Sequence, residues 1–505
     1  MNKMNKLILI LSIFLFTSLS SHSLETLELT LEDCIDIAHG KSPRSDIARK
    51  NFAQRYFGYE AFSAGYLPQM TLSAALPGLY RGVTEIQQDD GTSKFLEAAT
   101  LNSSVALGIE QKLPFSGGTL GVASELTRID NLKRETINIG GEIEISPHNF
   151  YWNSTPIRMF YRQPIFRFNS MKWERKIEAM RNSMNDNEFN EEMEQIAITA
   201  TSYFFDLYLA KKDLENSIFN RNVNDTLYSL SKGRFEVGKI AENDLLQSEL
   251  QFLNSKNDVE TKQLNYERAM ENLVLFLGIE EDTMVEVIPP ESIPDVRVDL
   301  DIAIEQAKIN NTRYLNYDMD EMEAEKNIEI AKSDASLNAD LIFSFGLNRT
   351  ADTFEDSYRD LSDQQRLNVT LSIPIINWGY GNARVQNAII NHAKVNNSVK
   401  IDRQNFELDV KYQVLRFTQL QKQLLLRAKS DTIATKRFEV SRNRYMIGKI
   451  DLNSYFIAQN EKDQSRNSYM SAIKEFWVGY YNLRRMTMYD FIGNKTIRYR
   501  QPEVE

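Results

Sequence analysis

Two long stretches of the chain repeat apolar residues at every third or fourth position, which is the spacing of helices that pack along a narrow seam. The first seam consists of Met193, Ile196, Ala200, Tyr203, Leu207, Ala210 and Leu214, and the second of Ile401, Leu408, Tyr412 and Leu415. No Gly or Pro interrupts residues 171–232 or 382–447. Unbroken helices of that length would measure ~90–100 Å at ~1.5 Å per residue. The pattern therefore predicts helices longer than an ordinary globular domain.

Shorter segments alternate apolar and polar residues, which is typical of strands with one apolar face and one polar face. The clearest are DLIFSFGLN (340–348) and RLNVTLSIP (366–374) in the second half of the chain. In the first half, Val105, Leu107 and Ile109 alternate with smaller or polar residues, and LGVASELTR (120–128) continues the pattern. The periodicity does not fix the number of strands between residues 66 and 168.

The chain contains the same phrase twice, as RFEVGK (234–239) and RYMIGK (444–449). Pro164 in RQPIF and Pro374 in SIPII are separated by the same distance along the chain as these two phrases. The segments that start at Leu29 and Val298 also correspond, but their separation is larger. These matches indicate two copies of one unit, with an insertion in the first copy between its opening helix and Pro164.

Capping and turn residues mark where the helices begin and end. Thr30 and Asp33 form a predicted capping box, and Asp299 is a predicted N-cap in the second copy. Gly238 and Gly448 are expected to end the two long helices and to reverse the chain into a return helix. We expect Asn243 and Asn453 to cap these return helices.

These signals divide the chain into consecutive segments. The predicted order is a signal peptide (1–23), first-repeat helices (24–65), first-repeat strands with an insertion (66–168), a long helical hairpin with its turn near 234–243 (169–278), a linker (279–297), second-repeat helices (298–337), second-repeat strands (338–377), a second hairpin with its turn near 444–453 (378–486) and a C-terminal tail (487–505). The signal peptide is predicted from Lys3, Lys6 and the apolar run that follows them.

Composition narrows the class of function. The net charge of −11 over 505 residues argues against a nucleic-acid partner. The single cysteine, Cys34, is expected to be a small buried side chain, and the scattered His39, His148 and His392 form no recognisable zinc or catalytic motif. From the sequence we therefore expect that the protein is not an enzyme and that it has no catalytic residue, no metal site and no cofactor.

The strands have an apolar face that no helix within the chain is predicted to cover, so membrane lipid is expected to cover it. A sheet of about four strands would leave two unpaired edges in hydrocarbon. Several chains must therefore contribute to one barrel, and three chains of four strands each would give twelve strands.

The order of helices, strands and a long helical hairpin, all duplicated, with RFEVGK and RYMIGK at the turns and QPIF and IPII after the strands, resembles the TolC family of outer-membrane efflux channels. The resemblance implies an α+β membrane protein of the Gram-negative outer membrane. Its trimer would form a transmembrane barrel continued by a coiled-coil tunnel across the periplasm. It would be a passive channel of a tripartite efflux or type I secretion system, served by a periplasmic adaptor protein and a proton-driven or ATP-driven inner-membrane pump.

The resemblance also implies roles for residues at the hairpin turns. The candidate docking residues for the adaptor are Arg234, Phe235, Gly238, Lys239, Arg444, Tyr445, Gly448 and Lys449, and a Tyr445–Asp244 contact is the candidate entrance gate. Glu242, Asp244 and Asp451 would make the entrance electronegative. The family's ring of aspartates falls on Ser454 and Ile457, which puts strong cation selectivity in doubt.

Two alternatives remain open at the level of sequence. In the first, the residues at the turns, above all the glycines, serve only to form the turn and do not bind a partner. In the second, the whole chain is a non-channel periplasmic coiled-coil adaptor or surface scaffold, although such adaptors usually contain one hairpin instead of two.

Overall fold

The structure is a computed structural model that describes residues 26–87, 91–132, 136–139, 142–145, 150–280, 283–290 and 293–503. The predicted signal peptide, residues 1–23, lies outside the described residues and stays a prediction.

Long helices dominate the described part of the chain. They are α1 (Leu31–Lys41), α2 (Pro43–Ala64), α3 (Ser170–Glu236), α4 (Glu242–Leu277), α5 (Leu300–Asn310), α6 (Thr312–Asp334), α7 (Tyr380–Met446) and α8 (Leu452–Thr487). Helices α3 and α7 each have 67 residues, and α4 and α8 each have 36. The number of residues from the end of α3 to the end of α7 equals the number from RFEVGK to RYMIGK, and the ends of α4 and α8 have the same separation. The predicted duplication is therefore confirmed. None of the described helices carries an apolar segment long enough to cross a bilayer.

Six long strands form one antiparallel sheet. They are β2 (Gln69–Gln87), β3 (Ser93–Leu113), β4 (Gly118–Asn131), β7 (Phe150–Ile165), β9 (Asn338–Ala351) and β10 (Ser362–Ser372). Their spatial order is β10-β9-β7-β4-β3-β2. Three short pairs complete the strands: β1 (Thr26–Thr30) with β8 (Met284–Ile288), β5 (Thr136–Ile139) with β6 (Glu142–Ile145), and β11 (Tyr489–Asp490) with β12 (Lys495–Thr496). The predicted strands are thus present.

The sheet has six strands in one chain, whereas a twelve-stranded trimer requires four. The starts of β2 and β9 are separated by the same step along the chain as Leu29 and Val298. Pro164 of β7 corresponds to Pro374, which follows β10. Strands β2 and β7 are therefore the counterparts of β9 and β10. The insertion of the first copy contributes β3 and β4, which lie between β2 and β7 because β3 pairs with β2 and β4, and β4 pairs with β7.

The chain separates into two compact units, and each unit combines segments from both repeats. Unit 1 contains residues up to 53, 184–315 and 403–505, and unit 2 contains residues 54–183 and 316–402. Unit 2 holds the six-stranded sheet, whereas unit 1 holds both hairpin turns. Each unit is built from parts of the sequence that are far apart.

The helix caps confirm two predictions and correct a third. Thr30 and Asp33 form the capping box of α1, and the carboxylate of Asp299 accepts hydrogen bonds from two amides of α5. The return helices begin earlier than expected, because Ala241 and Asp451 occupy the N-cap positions of α4 and α8. Asn243 and Asn453 are wrong as caps: each lies inside the first turn, where its backbone is already helical.

Cys34 and His39 lie on the buried side of α1. The predicted burial of Cys34 is confirmed, and this burial raises the pKa of its thiol to about 12. The His39 Nε2 atom lies 3.0 Å from the Met193 carbonyl oxygen, and its ring packs edge-on against Tyr499. Burial lowers the pKa of His39 below its ordinary value.

This lowered pKa predicts a pH-dependent stability. The unfolded chain binds a proton at His39 near pH ~6.5, whereas the folded chain binds it only at lower pH, so stability is lost as the pH falls below ~6.5. His39→Gln should reduce the drop in the unfolding midpoint between pH ~7.5 and ~5.5. His392→Gln, on α7, is the control that should keep the full drop. An equal drop in the wild type and His39→Gln would contradict the assignment.

Candidate functional site: the two hairpin turns

The two hairpin turns have the same backbone hydrogen bonds. In the first, the Gly238 amide donates to the Phe235 carbonyl at 2.8 Å, and the Lys239 amide donates to the Arg234 carbonyl at 2.8 Å. In the second turn, the corresponding residues of the second copy repeat this pattern at 2.9 and 2.8 Å. This pair of bonds is the Schellman motif, in which two otherwise unpaired carbonyls at a helix end are satisfied.

The glycines are required by backbone conformation and not by space. Gly238 and Gly448 both have φ of +73°, in the left-handed region that side chains with a β-carbon disfavour. A β-carbon at either position would meet no other atom within 4 Å. The repeated Gly therefore reverses the chain, and the space around it is open.

Although the backbones match, equivalent side chains of the two turns have different environments. Phe235 is 39% exposed, whereas Tyr445, its counterpart, is only 5% exposed. Lys239, Arg444, Lys449 and Glu242 are exposed, and Arg234 and Asp244 are half-buried. The first turn thus presents an aromatic side chain to solvent, and the second does not.

Arg234 connects the two turns. Its guanidinium lies 5.4 Å from the centre of the Tyr445 ring, and its Nη2 donates to the Met446 carbonyl oxygen at 3.2 Å. Met446 is the last residue of α7, so the arginine places a positive charge at the negative end of that helix. An arginine of one repeat therefore caps the long helix of the other.

The predicted gate residues Tyr445 and Asp244 come from different hairpins, and Tyr445 is buried whereas Asp244 is half-buried. Among the described residues of this chain, no hydrogen bond joins Tyr445 to Asp244. Asp451 accepts a hydrogen bond from the Ser454 amide at 2.6 Å, and this bond lowers the pKa of its carboxyl. Asp451 thus caps α8, and the Tyr445–Asp244 contact stays a proposal.

Tyr445 belongs to a group of buried side chains, here called the turn cluster. Its members are Leu227, Phe438, Tyr445, Leu452, Tyr455 and Phe456. Tyr455 is fully buried, and its ring centre lies 5.7 Å from those of both Tyr445 and Phe438. Because its members come from α3, α7 and α8, the cluster holds the two hairpins together behind the turns.

Comparison with solved structures identifies the fold. The CmeC outer membrane channel of Campylobacter jejuni superposes with a TM-score of 0.61 at 12% identity, covering 90% of this chain and 85% of CmeC. The outer membrane protein VceC of Vibrio cholerae gives 0.61 at 11% identity, with 90% and 95% covered. The open state of the Neisseria gonorrhoeae MtrE outer membrane channel gives 0.56 at 13% identity, with 90% and 88% covered.

The chain has the fold of these outer-membrane channels. The fold predicted from the duplicated hairpins is therefore confirmed at near-complete coverage of both partners. No protein-family model matches the sequence, and a comparison with curated proteins finds no match. At 11–13% identity, the likeness is one of fold, so the roles of individual residues depend on their own geometry.

Within this outer-membrane channel fold, a polar layer lies among the helices beside the turn cluster. Lys462 is buried, donates to Asn216 at 2.9 Å and pairs with Asp463 at 3.0 Å. Asn216 and Asn220 of α3 donate to the two carboxylate oxygens of Asp463 at 2.8 and 2.7 Å. The apolar periodicity did not reveal this layer, although polar residues at positions 216 and 220 interrupt a helical face, which is a usual sign of a buried network.

Proposed function

We propose that the protein is an outer-membrane channel, a passive trimeric conduit that leads from the periplasm to the exterior in a tripartite efflux or type I secretion system. One observation carries this proposal: an antiparallel sheet with an exposed apolar face and two edge strands shares its chain with paired helical hairpins. The fold it shares with outer-membrane channels supports the same function.

The apolar face of the sheet supports a membrane location. Leu72 and Leu76 of β2 are 70% and 84% exposed, and Leu367 of β10 is 69% exposed. In water, so large an apolar surface would promote aggregation, whereas in a bilayer it faces hydrocarbon. Proteins of the outer membrane span it with β-strands, so we assign this sheet to that membrane.

The edges of the sheet support a ring of identical chains. Strands β2 and β10 stand at the two ends of the strand order, each with one side unpaired among the described residues. Because unpaired main-chain groups are costly in hydrocarbon, β2 of one chain pairs with β10 of the next. This head-to-tail contact closes into a ring. We take the number of chains in the ring, three, from the predicted class of channel.

The hairpin turns are the proposed contact with the periplasmic adaptor. Phe235, Lys239, Arg444 and Lys449 are exposed there, so they offer one aromatic side chain and three positive charges. The adaptor connects the channel to an inner-membrane pump, proton-driven or ATP-driven, which supplies the energy for transport. Tyr445 and Asp244, with Glu242 and Asp451, form the proposed entrance gate.

The function is tested by conductance. Protein purified from outer membranes in detergent should form stable trimers and produce single channels in planar lipid bilayers. Tyr445→Phe combined with Asp244→Asn should raise the single-channel conductance, because Phe keeps the ring in the turn cluster while both variants remove the gate contact. Release of a water-soluble single chain by osmotic shock would overturn the channel and favour a periplasmic scaffold. Normal channels with unchanged conductance would overturn only the gate.

A further inference from the structure

The inserted strands β3 and β4 are full members of the sheet wall. Strand β3 pairs with β2 from Gln69↔Glu110 to Gln87↔Ser93, and β4 pairs with β3 along its whole length from Thr100↔Asn131 to Leu113↔Gly118. Strand β4 then pairs with β7 on its other side. The insertion therefore separates β2 from β7, whereas their counterparts β9 and β10 pair directly.

Side chains on the two faces of the insertion match those of the flanking strands. One row of cross-strand neighbours reads Met70, Ile109, Val122, Met159 and Phe345, and it runs from β2 through β3, β4 and β7 to β9. The adjacent row on the opposite face reads Thr71, Gly108, Ala123, Arg158, Gly346 and Gln364. An apolar row and a row of small or polar residues cross the inserted strands without a change of face, as a barrel wall between lipid and water requires.

The turn between β3 and β4 is attached to the residues that lead into and out of the sheet. Gln111 donates to the Tyr66 carbonyl at 2.6 Å, and Asn169 donates to the Pro114 carbonyl at 2.8 Å. Gln163 of β7 donates to the Ser116 carbonyl at 2.8 Å. The insertion is thus held at the helical end of the sheet by both flanking segments.

The close spacing of these strands depends on glycine. A β-carbon on Gly121 of β4 would lie 2.8 Å from the Ile109 carbonyl oxygen and 2.2 Å from the Phe160 ring. Gly121 therefore leaves room for the ring of Phe160, its cross-strand partner on β7, and a larger residue there would push β4 and β7 apart.

We propose that three copies of this chain close a barrel of eighteen strands, six from each. This number rests on the trimeric channel proposed above. Neighbouring strands of the sheet run in opposite directions, and adding an even number of strands preserves this alternation around the barrel. Strand β10 of one chain and β2 of the next therefore remain antiparallel. Since barrel diameter grows roughly linearly with strand number, the wall would be about 1.5 times as wide as a twelve-stranded one. The outer-membrane end would then be a wide aqueous pore, in the size class of porins.

Paired cysteines test which strands are neighbours in the membrane. In a Cys34→Ala background, Thr71→Cys with Gly108→Cys should form a disulfide, because these residues are partners on β2 and β3. Thr71→Cys with Phe160→Cys should not, because three strand spacings of ~4.8 Å separate β2 from β7. If the inserted strands lie outside the wall, β2 pairs directly with β7 in the register of β9 and β10. Thr71→Cys would then form a disulfide with Phe160→Cys and not with Gly108→Cys. That reversal would overturn the proposal.

Cryo-electron microscopy of the full-length protein in lipid nanodiscs counts the strands directly. Eighteen strands around three chains support the proposal, and twelve strands, from three chains or from two, overturn it. A variant that lacks residues 93–131 should give twelve strands and a wall about two-thirds as wide. Failure to find any ring of chains would contradict the channel itself, which separates that outcome from a wrong strand number.

Discussion

Replacing Arg484 with Met is expected to destabilise the protein by about 3–5 kcal/mol, which is the range for removing one partner of a buried ion pair. Arg484 on α8 donates to Glu194 on α3 at 2.8 Å, and the Glu194 side chain is fully buried. Tyr499 also donates to Glu194 at 2.6 Å. Without Arg484, the carboxylate would keep only neutral partners inside the protein.

The pH dependence identifies the cause of this loss. Burial raises the pKa of Glu194, and Arg484 counteracts this shift. Removal of the arginine should raise that pKa further, so the folded chain would bind a proton at a higher pH than the unfolded chain. Stability of Arg484→Met should therefore fall as the pH rises above ~4.5, and the variant should recover partly in acid.

Arg485→Met is the matched control, because Arg485 is the next residue on the same helix and its bond to Gln195 is exposed. Loss of an exposed contact of this kind costs about 0–1 kcal/mol. Adding Glu194→Gln to Arg484→Met should restore part of the lost stability, since no buried charge would remain unpaired. Chemical denaturation of the detergent-solubilised protein measures these variants against the wild type. Equal effects of the two arginine substitutions would contradict a special role for the buried pair.

Replacing both Gly238 and Gly448 with Val is expected to weaken binding of the periplasmic adaptor at least about tenfold, while trimers still form in the membrane. Each substitution forces a β-branched residue to φ of +73°, which costs roughly 1–2 kcal/mol for a residue with a β-carbon. The turns would distort to relieve this strain, and the proposed docking residues would move with them. Because a β-carbon at either site meets open space, crowding adds nothing to this cost.

Two controls separate turn geometry from bulk. Gly233→Val places the same side chain in equally open space earlier in α3, where φ is not positive, so docking should persist. Asn at positions 238 and 448 tolerates the left-handed conformation and should also preserve docking. Co-purification of the channel with its adaptor measures the binding. Full binding by the double Val variant would show that the adaptor does not contact the turns.

These two experiments address different links between structure and function. The Arg484–Glu194 pair joins the first and second repeats inside unit 1, so its loss affects folding and leaves the docking surface chemically intact. The glycine variants affect only the exposed ends of the hairpins. A channel that is stable but unable to bind its adaptor would assign the repeated turn to partner recognition.

The sequence by itself determined the features that depend on neighbouring residues. Periodicity predicted the long helices, the constant separation of the repeated phrases predicted their duplication, and Gly238 and Gly448 marked both turns. Alternation marked β9 and β10, and the larger separation of Leu29 from Val298 marked an insertion in the first copy. The helical seam, the glycine turns and the alternating strands are local properties, since each is set by residues close together in the sequence, and the duplication and the insertion follow from comparing these local patterns along the chain.

Only the tertiary structure decided which distant residues meet. It showed that the insertion adds two strands inside the sheet, that Arg234 caps the helix of the other repeat, and that Tyr445 is buried while its counterpart Phe235 is exposed. Sequence could not supply these facts, because strand pairing and side-chain burial depend on contacts between segments that are far apart along the chain. Identical backbone turns can therefore carry different surfaces, and the difference appears only when the two hairpins pack together.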